Sequence, residues 1–231
     1  QCLPVHRKEV IMQLTFDRIF TYLVPYLLGG ISVTLSVSFF ALMIGAVVGL
    51  LLAFLRVYGG RVVQILMTVF SAVFRALPHT VLLLLIYFVI AGSINISKYW
   101  AGTLSLAIIS CVYQMEIFRA AIESVDYGQM MAARAIGMSQ VKAIFYIIMP
   151  QALRRALPSW TNEAAGVIKA SSLVYIIGVV EIMRLAQYEI ARSRQPFAVY
   201  IAVALIYFVC VWLTSFVLRK VEKRLAIPDI S

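Results

Sequence analysis

The sequence predicts an all-α polytopic membrane protein with five transmembrane helices. Of its 231 residues, 63% are hydrophobic and only 13% are charged, a composition too apolar for a soluble domain. Several apolar runs are long enough to cross a hydrocarbon core of about 30 Å. The net charge of +10 comes largely from Lys and Arg residues at the ends of these runs, a pattern typical of membrane proteins rather than of nucleic-acid-binding proteins.

The first helix is predicted within residues 19–55, which contain no charged residue. Arg56 and Arg61 mark its inner end. Gly45 and Gly49 form a small-xxx-small pair, which either lets another helix approach closely or is simply tolerated in lipid. Residues 1–26 are predicted to form an amino-terminal lead-in, and residues 1–11, which precede Met12, are expected not to be native.

The second helix is predicted over residues 62–90 and is interrupted at Arg75 and Pro78. Proline removes a backbone donor and kinks a spanning helix. An arginine at membrane depth must find a partner or reach water. A structural kink beside a snorkelling arginine is one explanation of this element.

Polar and charged residues occur inside the third and fourth apolar runs, where they are costly. Glu116 and Arg119 are three residues apart on the third helix, so they either pair with each other or contact charged groups of a substrate. Lys169 lies deep in the fourth helix, predicted over residues 160–180. Charges of both signs suit a zwitterionic ligand, and packing between helices explains them nearly as well. The candidates for a substrate path are Tyr113, Gln114, Glu116, Arg119, Asn162, Glu163 and Lys169.

Residues 123–150, between these two helices, form an insert that is neither a clean apolar run nor a simple charged tail. Its pattern predicts one helix over residues 128–136, which Gly137 closes in a left-handed conformation, and a second helix that Ser139 caps and Pro150 ends. Small side chains leave a smooth surface, and Arg134 and Lys142 add positive charge. The insert is therefore predicted to be a cytoplasmic docking element.

The last part of the chain contains one more apolar run. Residues 181–195 are predicted to form a polar outer loop with a short surface helix, and the fifth helix runs from Pro196 to near Leu218. Residues 219–231 form a basic cytoplasmic tail. The distribution of cations places the amino terminus outside and the carboxyl terminus in the cytoplasm.

The insert also carries a specific pattern, Ala132-Ala133-x3-Gly137-x9-Ile147-x-x-Pro150. This pattern resembles the EAA motif of bacterial ABC-importer permeases, the cytoplasmic loop that the ATPase subunits grip. Flanking residues 116–125 and 150–163 resemble the polar-amino-acid branch of that family, of the histidine and glutamine type. The likeness runs from about residue 27 to residue 218.

The resemblance implies a type I ABC importer fold, with residues 27–218 as the transmembrane domain, in a multi-pass protein of the bacterial inner membrane. It implies a permease that carries a polar amino acid or a close relative by alternating access. The expected partners are two ATPase subunits, a second permease subunit (identical or related), an extracytoplasmic binding protein and membrane lipid, without nucleic acid. The chain has no Gly-Lys pair and hence no Walker A loop. It is therefore expected to be no enzyme and to bind no cofactor, with ATP and Mg on the partner ATPase.

The resemblance also assigns roles to residues. It implies that the element with Arg75 and Pro78 is a gate or a cavity wall. Three positions depart from the family pattern, because Met131 replaces an acidic residue, Asp126 a proline and Ala170 an aspartate. The residues expected to couple the chain to the ATPase are Asp126, Gly128, Met131, Ala132, Ala133, Arg134, Gly137, Ser139, Lys142 and Pro150.

Other functional classes stay open at this point. An ion-gradient-driven secondary transporter would use Glu116, Glu163 and Lys169 as a relay, although the sequence shows no inverted halves. A membrane-embedded enzyme lacks support, because His6 and His79 are the only histidines and no paired carboxylates or metal-spaced cluster occurs. A scaffold would bind the ATPase and transport nothing.

Overall fold

The computed structural model describes residues 19–91, 93 and 95–225. Every regular element within these ranges is a helix. Most of the lead-in, through residue 18, lies outside the described residues, and so do residues 226–231 of the basic tail.

Ten α-helices are labelled here in chain order over the described residues. They are α1 (Val24–Leu28), α2 (Ile31–Tyr58), α3 (Arg61–Ala76), α4 (His79–Leu85), α5 (Lys98–Glu123), α6 (Tyr127–Ala135), α7 (Gln140–Ala143), α8 (Met149–Ala170), α9 (Ile182–Ser193) and α10 (Pro196–Leu225). Wider π turns precede α1 (Ile19–Leu23), extend α4 (Ile86–Ala91) and join α7 to α8 (Ile144–Ile148). A 3₁₀ turn, Ser171–Ile177, extends α8.

Three helical segments in the described part of the chain are long and apolar enough to cross a membrane, namely Thr21–Tyr58, Lys98–Glu123 and Pro196–Leu225. Two bent pairs pass the same test together. Arg61–Ala76 and His79–Ala91 meet at 99°, and Gln140–Ile177 and Ile182–Ser193 meet at 52°. The predicted number of five spans is reached if each bent pair is one span.

The predicted kink at Pro78 is a full break between α3 and α4. Leu77 and Pro78 both have extended backbone, with ψ angles of 132° and 134°. The ring of a proline disfavours helical geometry in the residue before it, so α3 ends at Ala76 and α4 begins at His79. Helices α3 and α4 therefore run at nearly a right angle to each other.

Helices α2 and α5 lie close together at Gly45 and Gly49. A Cβ atom on Gly49 would lie 2.7 Å from the carbonyl oxygen of Cys111 and 3.0 Å from the backbone nitrogen of Met115. A Cβ atom on Gly45 would lie 2.6 Å from Nε2 of Gln114. The small-xxx-small pair thus allows close helix packing, as one of its two interpretations predicted.

Pro150 does not end the second helix of the insert, and the fourth helix does not begin near Trp160. The chain is helical from Gln140 through Pro150 and Pro158 to Ile177. The π turn Ile144–Ile148 leads directly into α8, which begins at Met149 and has Pro150 in its first turn. A π turn changes the backbone hydrogen-bond register, and proline is tolerated in the first turn of a helical segment.

The prediction of a polar surface loop was wrong for Glu181, which is 0% exposed. Its carboxylate caps α9, accepting hydrogen bonds from the backbone nitrogens of Met183 and Arg184, both at 2.8 Å. It also accepts the hydroxyl of Tyr207 on α10 at 2.8 Å. Glu181 therefore fixes the angle at which α9 leaves the bundle.

Candidate coupling insert and substrate cavity

The first half of the insert folds as its local sequence predicts. Asp126 caps α6 by accepting the backbone N–H of Gly128 at 2.6 Å. At the other end, Gly137 has φ +86°, and the N–H groups of Gly137 and Met138 donate to the carbonyls of Arg134 and Ala133, each at 3.0 Å. This is the Schellman arrangement, which satisfies the last carbonyls of a helix.

Ser139 starts α7, with its hydroxyl oxygen accepting the N–H of Lys142 at 3.4 Å. The two short helices are thus separated by a turn in which Gly137 carries the left-handed conformation. Because this turn is fixed by backbone hydrogen bonds on both sides, α6 and α7 form a defined helix pair.

The exposed face of the insert is apolar as well as basic. Met131 is 56% exposed and Ile136 is 80% exposed. Arg134, also exposed, donates to the carbonyl of Met138 at 3.2 Å. Ala133 is buried, so it supports the helix from beneath and does not contribute to the predicted smooth outer surface.

Two neighbouring helices hold the insert in place. Arg155 on α8 donates to the carbonyl of Ser124, which follows α5 at the start of the insert. On the other side, Phe54 of α2 stacks on Phe145 with ring centroids 5.8 Å apart. A displacement of the insert would therefore be transmitted to α2 and α8.

Glu116 lies at the centre of an ionic network. One carboxylate oxygen accepts hydrogen bonds from Arg56 on α2 and from Ser71 on α3. The other accepts Nε of Arg119 at 3.0 Å, and Arg119 also pairs with Glu123. The Glu116–Arg119 pair, one of the two alternatives for this spacing, is present, and Arg56 and Ser71 join it from distant segments. Glu116 thus ties α2, α3 and α5 together just before the insert.

Gln114 is a structural bridge. Its amide nitrogen donates to the carbonyl of Leu42 at 3.1 Å and to the hydroxyl of Ser110 at 2.9 Å. Its amide oxygen accepts Nε1 of Trp160 at 2.6 Å. Gln114 is 0% exposed, and these contacts join α2, α5 and α8.

A cavity of about 380 Å³ lies between α4, α5 and α8, and we call it the Lys169 cavity. Its polar lining consists of His79, Ser110, Tyr113, Glu163 and Lys169. Ser110 donates its hydroxyl to Oε1 of Glu163 at 2.7 Å. The described residues include no ion pair of Lys169 or of Glu163.

The structure brings only some of the predicted substrate-path residues together. Tyr113, Glu163 and Lys169 line the Lys169 cavity, whereas Asn162 is exposed and lies outside its lining. Gln114, Glu116 and Arg119 are occupied by the contacts described above. Pro78 directly precedes His79 of the cavity wall, and Arg75 is exposed at the end of α3.

Five contributing residues were missed by sequence reasoning, namely Arg56, Ser71, His79, Ser110 and Trp160. Two of them carried a usable signal. Ser110 is four residues before Gln114 on the same helix face, and His79 directly follows the predicted break at Pro78. The described part of the chain holds no group of three His, Cys, Asp or Glu residues suited to a metal ion.

Comparisons with known proteins agree with one another. The model of the family described as binding-protein-dependent transport system inner membrane component matches residues 45–227. The chain is 36% identical over 207 residues to the glutamine transport system permease protein GlnP of Escherichia coli, covering 88% of this chain and 94% of that protein. It is 33% identical over 204 residues to the putative glutamine transport system permease protein GlnP of Rickettsia typhi, with 87% and 94% covered.

Solved structures give the same picture. A crystal structure of an amino acid ABC transporter with histidines matches with a TM-score of 0.78 and 35% identity, covering 87% of this chain and 94% of that one. An inward-facing structure of the MetNI methionine ABC transporter matches with a TM-score of 0.74, covering 87% of this chain and 97% of that one. Its identity is 18%, so this second likeness concerns the fold alone.

Proposed function

Because this chain belongs to the family of binding-protein-dependent transport system inner membrane components, we propose that it carries a polar amino acid of the glutamine type or a close relative. It is a permease subunit of an ABC importer, has the type I importer fold and lies in the inner membrane. The relatives described above are transport permeases and ABC transporters, and they give no support to an ion-gradient mechanism.

The observation that carries the substrate proposal is the pair of unmatched charges in the Lys169 cavity. Lys169 and Glu163 line the same cavity without forming an ion pair with each other. One oxygen of Glu163 accepts the Ser110 hydroxyl, which leaves its other oxygen available. Unpaired charges at membrane depth are costly, so a ligand with complementary charges lowers this cost.

A zwitterionic amino acid has the required charges. Its carboxylate pairs with Lys169 and its ammonium group with Glu163, while Tyr113 and His79 offer hydrogen bonds to a polar side chain. The volume of about 380 Å³ is within the range of roughly 300–1,000 Å³ that is usual for small-molecule sites.

Permeases of this family act with an ATPase and with a substrate-binding protein. For this chain we expect two ATPase subunits, which bind ATP and Mg, and a second permease subunit, identical or related, that completes the pathway. The insert transmits the ATPase motion to α2 and α8, and the movement of these helices produces alternating access. Such coupling requires that the contacts between the insert and the ATPase differ between the two states of the transport cycle. Met131 makes one of these contacts apolar where relatives are expected to have a charge.

The test is ATP-dependent uptake of labelled glutamine, histidine, arginine and glutamate into proteoliposomes. These hold the chain with its candidate ATPase and its candidate binding protein. Lys169→Gln and Glu163→Gln are compared with Asn162→Ala, a neighbouring residue outside the cavity. Hydrogen bonds to charged groups contribute about 1.5–3 kcal/mol, so each charge-removing change should lower the maximal rate by roughly tenfold or more.

The substrate concentration that gives half-maximal uptake should change little, because the binding protein captures the substrate before the permease does. Asn162→Ala should transport as the unchanged protein does. If Lys169→Gln and Glu163→Gln retain full rates, the Lys169 cavity is not the substrate site. If uptake needs an ion gradient and no ATP, the importer mechanism itself fails.

A further inference from the structure

Lys169 lines a second space in addition to the Lys169 cavity. This second space, of about 430 Å³, lies between α8 and α10 and is bounded by Lys169, Tyr207, Phe208, Trp212, Ser215 and Arg219, among others. We call it the α10 groove. The exposed side chain of Lys169 therefore lines both the Lys169 cavity and the α10 groove.

The α10 groove follows the helix over much of the membrane thickness. Ala204, Phe208, Val211, Ser215 and Arg219 recur at intervals of three or four residues, which places them on one helix face. From Ala204 to Arg219 this face is about 22 Å long, against a hydrocarbon core of about 30 Å.

The two ends of the α10 groove are defined by contacts and by sequence. Tyr207, near its first end, donates its hydroxyl to the buried Glu181 at 2.8 Å. Arg219, at its other end, begins the basic run at the end of α10. The groove therefore leads from the level of Glu181, past Lys169, to the end of the helix predicted to be cytoplasmic.

Its charges are both positive, and the described residues neutralise neither. The ion pairs in the described part of the chain involve Arg56, Arg119 and Arg192. Glu222 is three residues beyond Arg219 but is not paired with it, and Glu163 is not paired with Lys169. Two unpaired cations along an otherwise mainly apolar groove fit a ligand that carries one anionic group.

We propose that Lys169 and Arg219 are successive binding sites for the carboxylate of the transported amino acid. The inference rests on the proposed function and adds a second site to it. Lys169 holds the carboxylate in the Lys169 cavity and can swing with it into the α10 groove, since its charge sits on a flexible stem. Arg219 then binds the carboxylate through its planar, two-pronged guanidinium group, while Phe208 and Trp212 contact the apolar part of the ligand.

An anionic phospholipid headgroup has the same chemistry toward Arg219 as a carboxylate does. The transported carboxylate and the lipid headgroup predict different effects of lipid composition on the import rate. A transit site affects the rate of import at any lipid composition, whereas a headgroup site matters only in membranes that contain anionic lipid.

The experiment measures maximal uptake by the assembled transporter with saturating binding protein and ATP, in phosphatidylcholine vesicles with and without phosphatidylglycerol. The variants are Arg219→Gln, Arg219→Lys and Lys220→Gln, the last being the adjacent cation outside the groove lining. We expect Arg219→Gln to lower the rate by roughly tenfold or more in both lipids, the loss expected when a hydrogen bond to a charged group is removed. Arg219→Lys should recover part of the rate, and Lys220→Gln should stay within about twofold.

The double variant Ser215→Arg with Arg219→Ser moves the cation one turn along the same face, and it should retain more uptake than Arg219→Gln. Copurification of the ATPase shows that each variant is assembled. Equal losses in Arg219→Gln and Lys220→Gln would overturn the proposal, and so would a loss confined to vesicles with phosphatidylglycerol. If the unchanged protein imports no amino acid, the proposed function fails; if it does and only Lys169→Gln is defective, the second site alone fails.

Discussion

Replacing Gly49 with alanine should destabilise the protein, although alanine is the better helix former. The added Cβ atom would lie 2.7 Å from the Cys111 carbonyl oxygen, whereas ordinary contact begins at 3.4 Å. Helices α2 and α5 must therefore separate by about 0.7 Å. Overpacking of this kind costs about 1–3 kcal/mol, and the helix propensity of alanine returns about 1 kcal/mol. We expect a net loss of up to about 2 kcal/mol.

Gly166→Ala is the matched control, because a Cβ atom there has no neighbour within 4 Å. It should gain up to about 1 kcal/mol, so the two variants should differ by about 1–3 kcal/mol, the cost of overpacking alone. At about 2–4 °C per kcal/mol for a chain of this size, their melting temperatures should be roughly 2–12 °C apart.

The melting temperatures are measured in detergent with a dye that reacts with thiols as they become exposed. Cys111 and Cys210 are only 5% and 6% exposed, so both report unfolding. Cys2 lies outside the described residues and is replaced by serine in every variant. Light scattering in the same scan provides a second readout. If Gly49→Ala melts at or above Gly166→Ala, the close approach of α2 and α5 at Gly49 is refuted.

Three further predictions concern the network, the insert and the buried carboxylate. Glu116→Gln leaves Arg56, 15% exposed, without a carboxylate and should cost about 1.5–3 kcal/mol, the contribution of a hydrogen bond to a charged group. Arg56→Met in the same chain should restore part of the melting temperature, and no recovery would contradict the pairing. Gly137→Val should reduce ATP-driven uptake per assembled complex far more than Gly137→Asn, because asparagine tolerates positive φ and a β-branched residue does not; equal uptake would show that the turn is not needed. Glu181→Gln should lower the melting temperature, because it leaves a buried donor unpaired at a cost of about 1–3 kcal/mol. Tyr207→Phe only removes one donor and should lower the melting temperature less. A larger decrease in Tyr207→Phe than in Glu181→Gln would exclude the capping role of Glu181.

Local signals in the sequence predicted local structure well. The turn at Gly137 and the cap at Ser139 were predictable because each depends on a few neighbouring residues. The same reasoning failed at Pro150, because the π turn Ile144–Ile148 absorbs the change in hydrogen bonding. It also failed at Glu181, whose burial depends on Tyr207, 26 residues away.

Distances along the chain explain why the partners of Glu116 were only half predicted. Arg119 is three residues away on the same helix, and the spacing alone indicates the pair. Arg56 and Ser71 are 60 and 45 residues away. Their proximity follows from how α2 and α3 pack against α5, and no single segment of sequence contains that information.

The two carboxylates at the candidate sites are suited to different roles, because their neighbours differ. Glu116 receives two arginines and a serine hydroxyl, so its charge is already balanced and a substrate would have to displace these partners. Glu163 receives one serine hydroxyl and faces a cavity that it shares with an unpaired lysine. Since a ligand gains free energy where charge is left unmatched, Glu163 and Lys169 are suited to bind substrate, whereas Glu116 is suited to hold three helices together beside the insert.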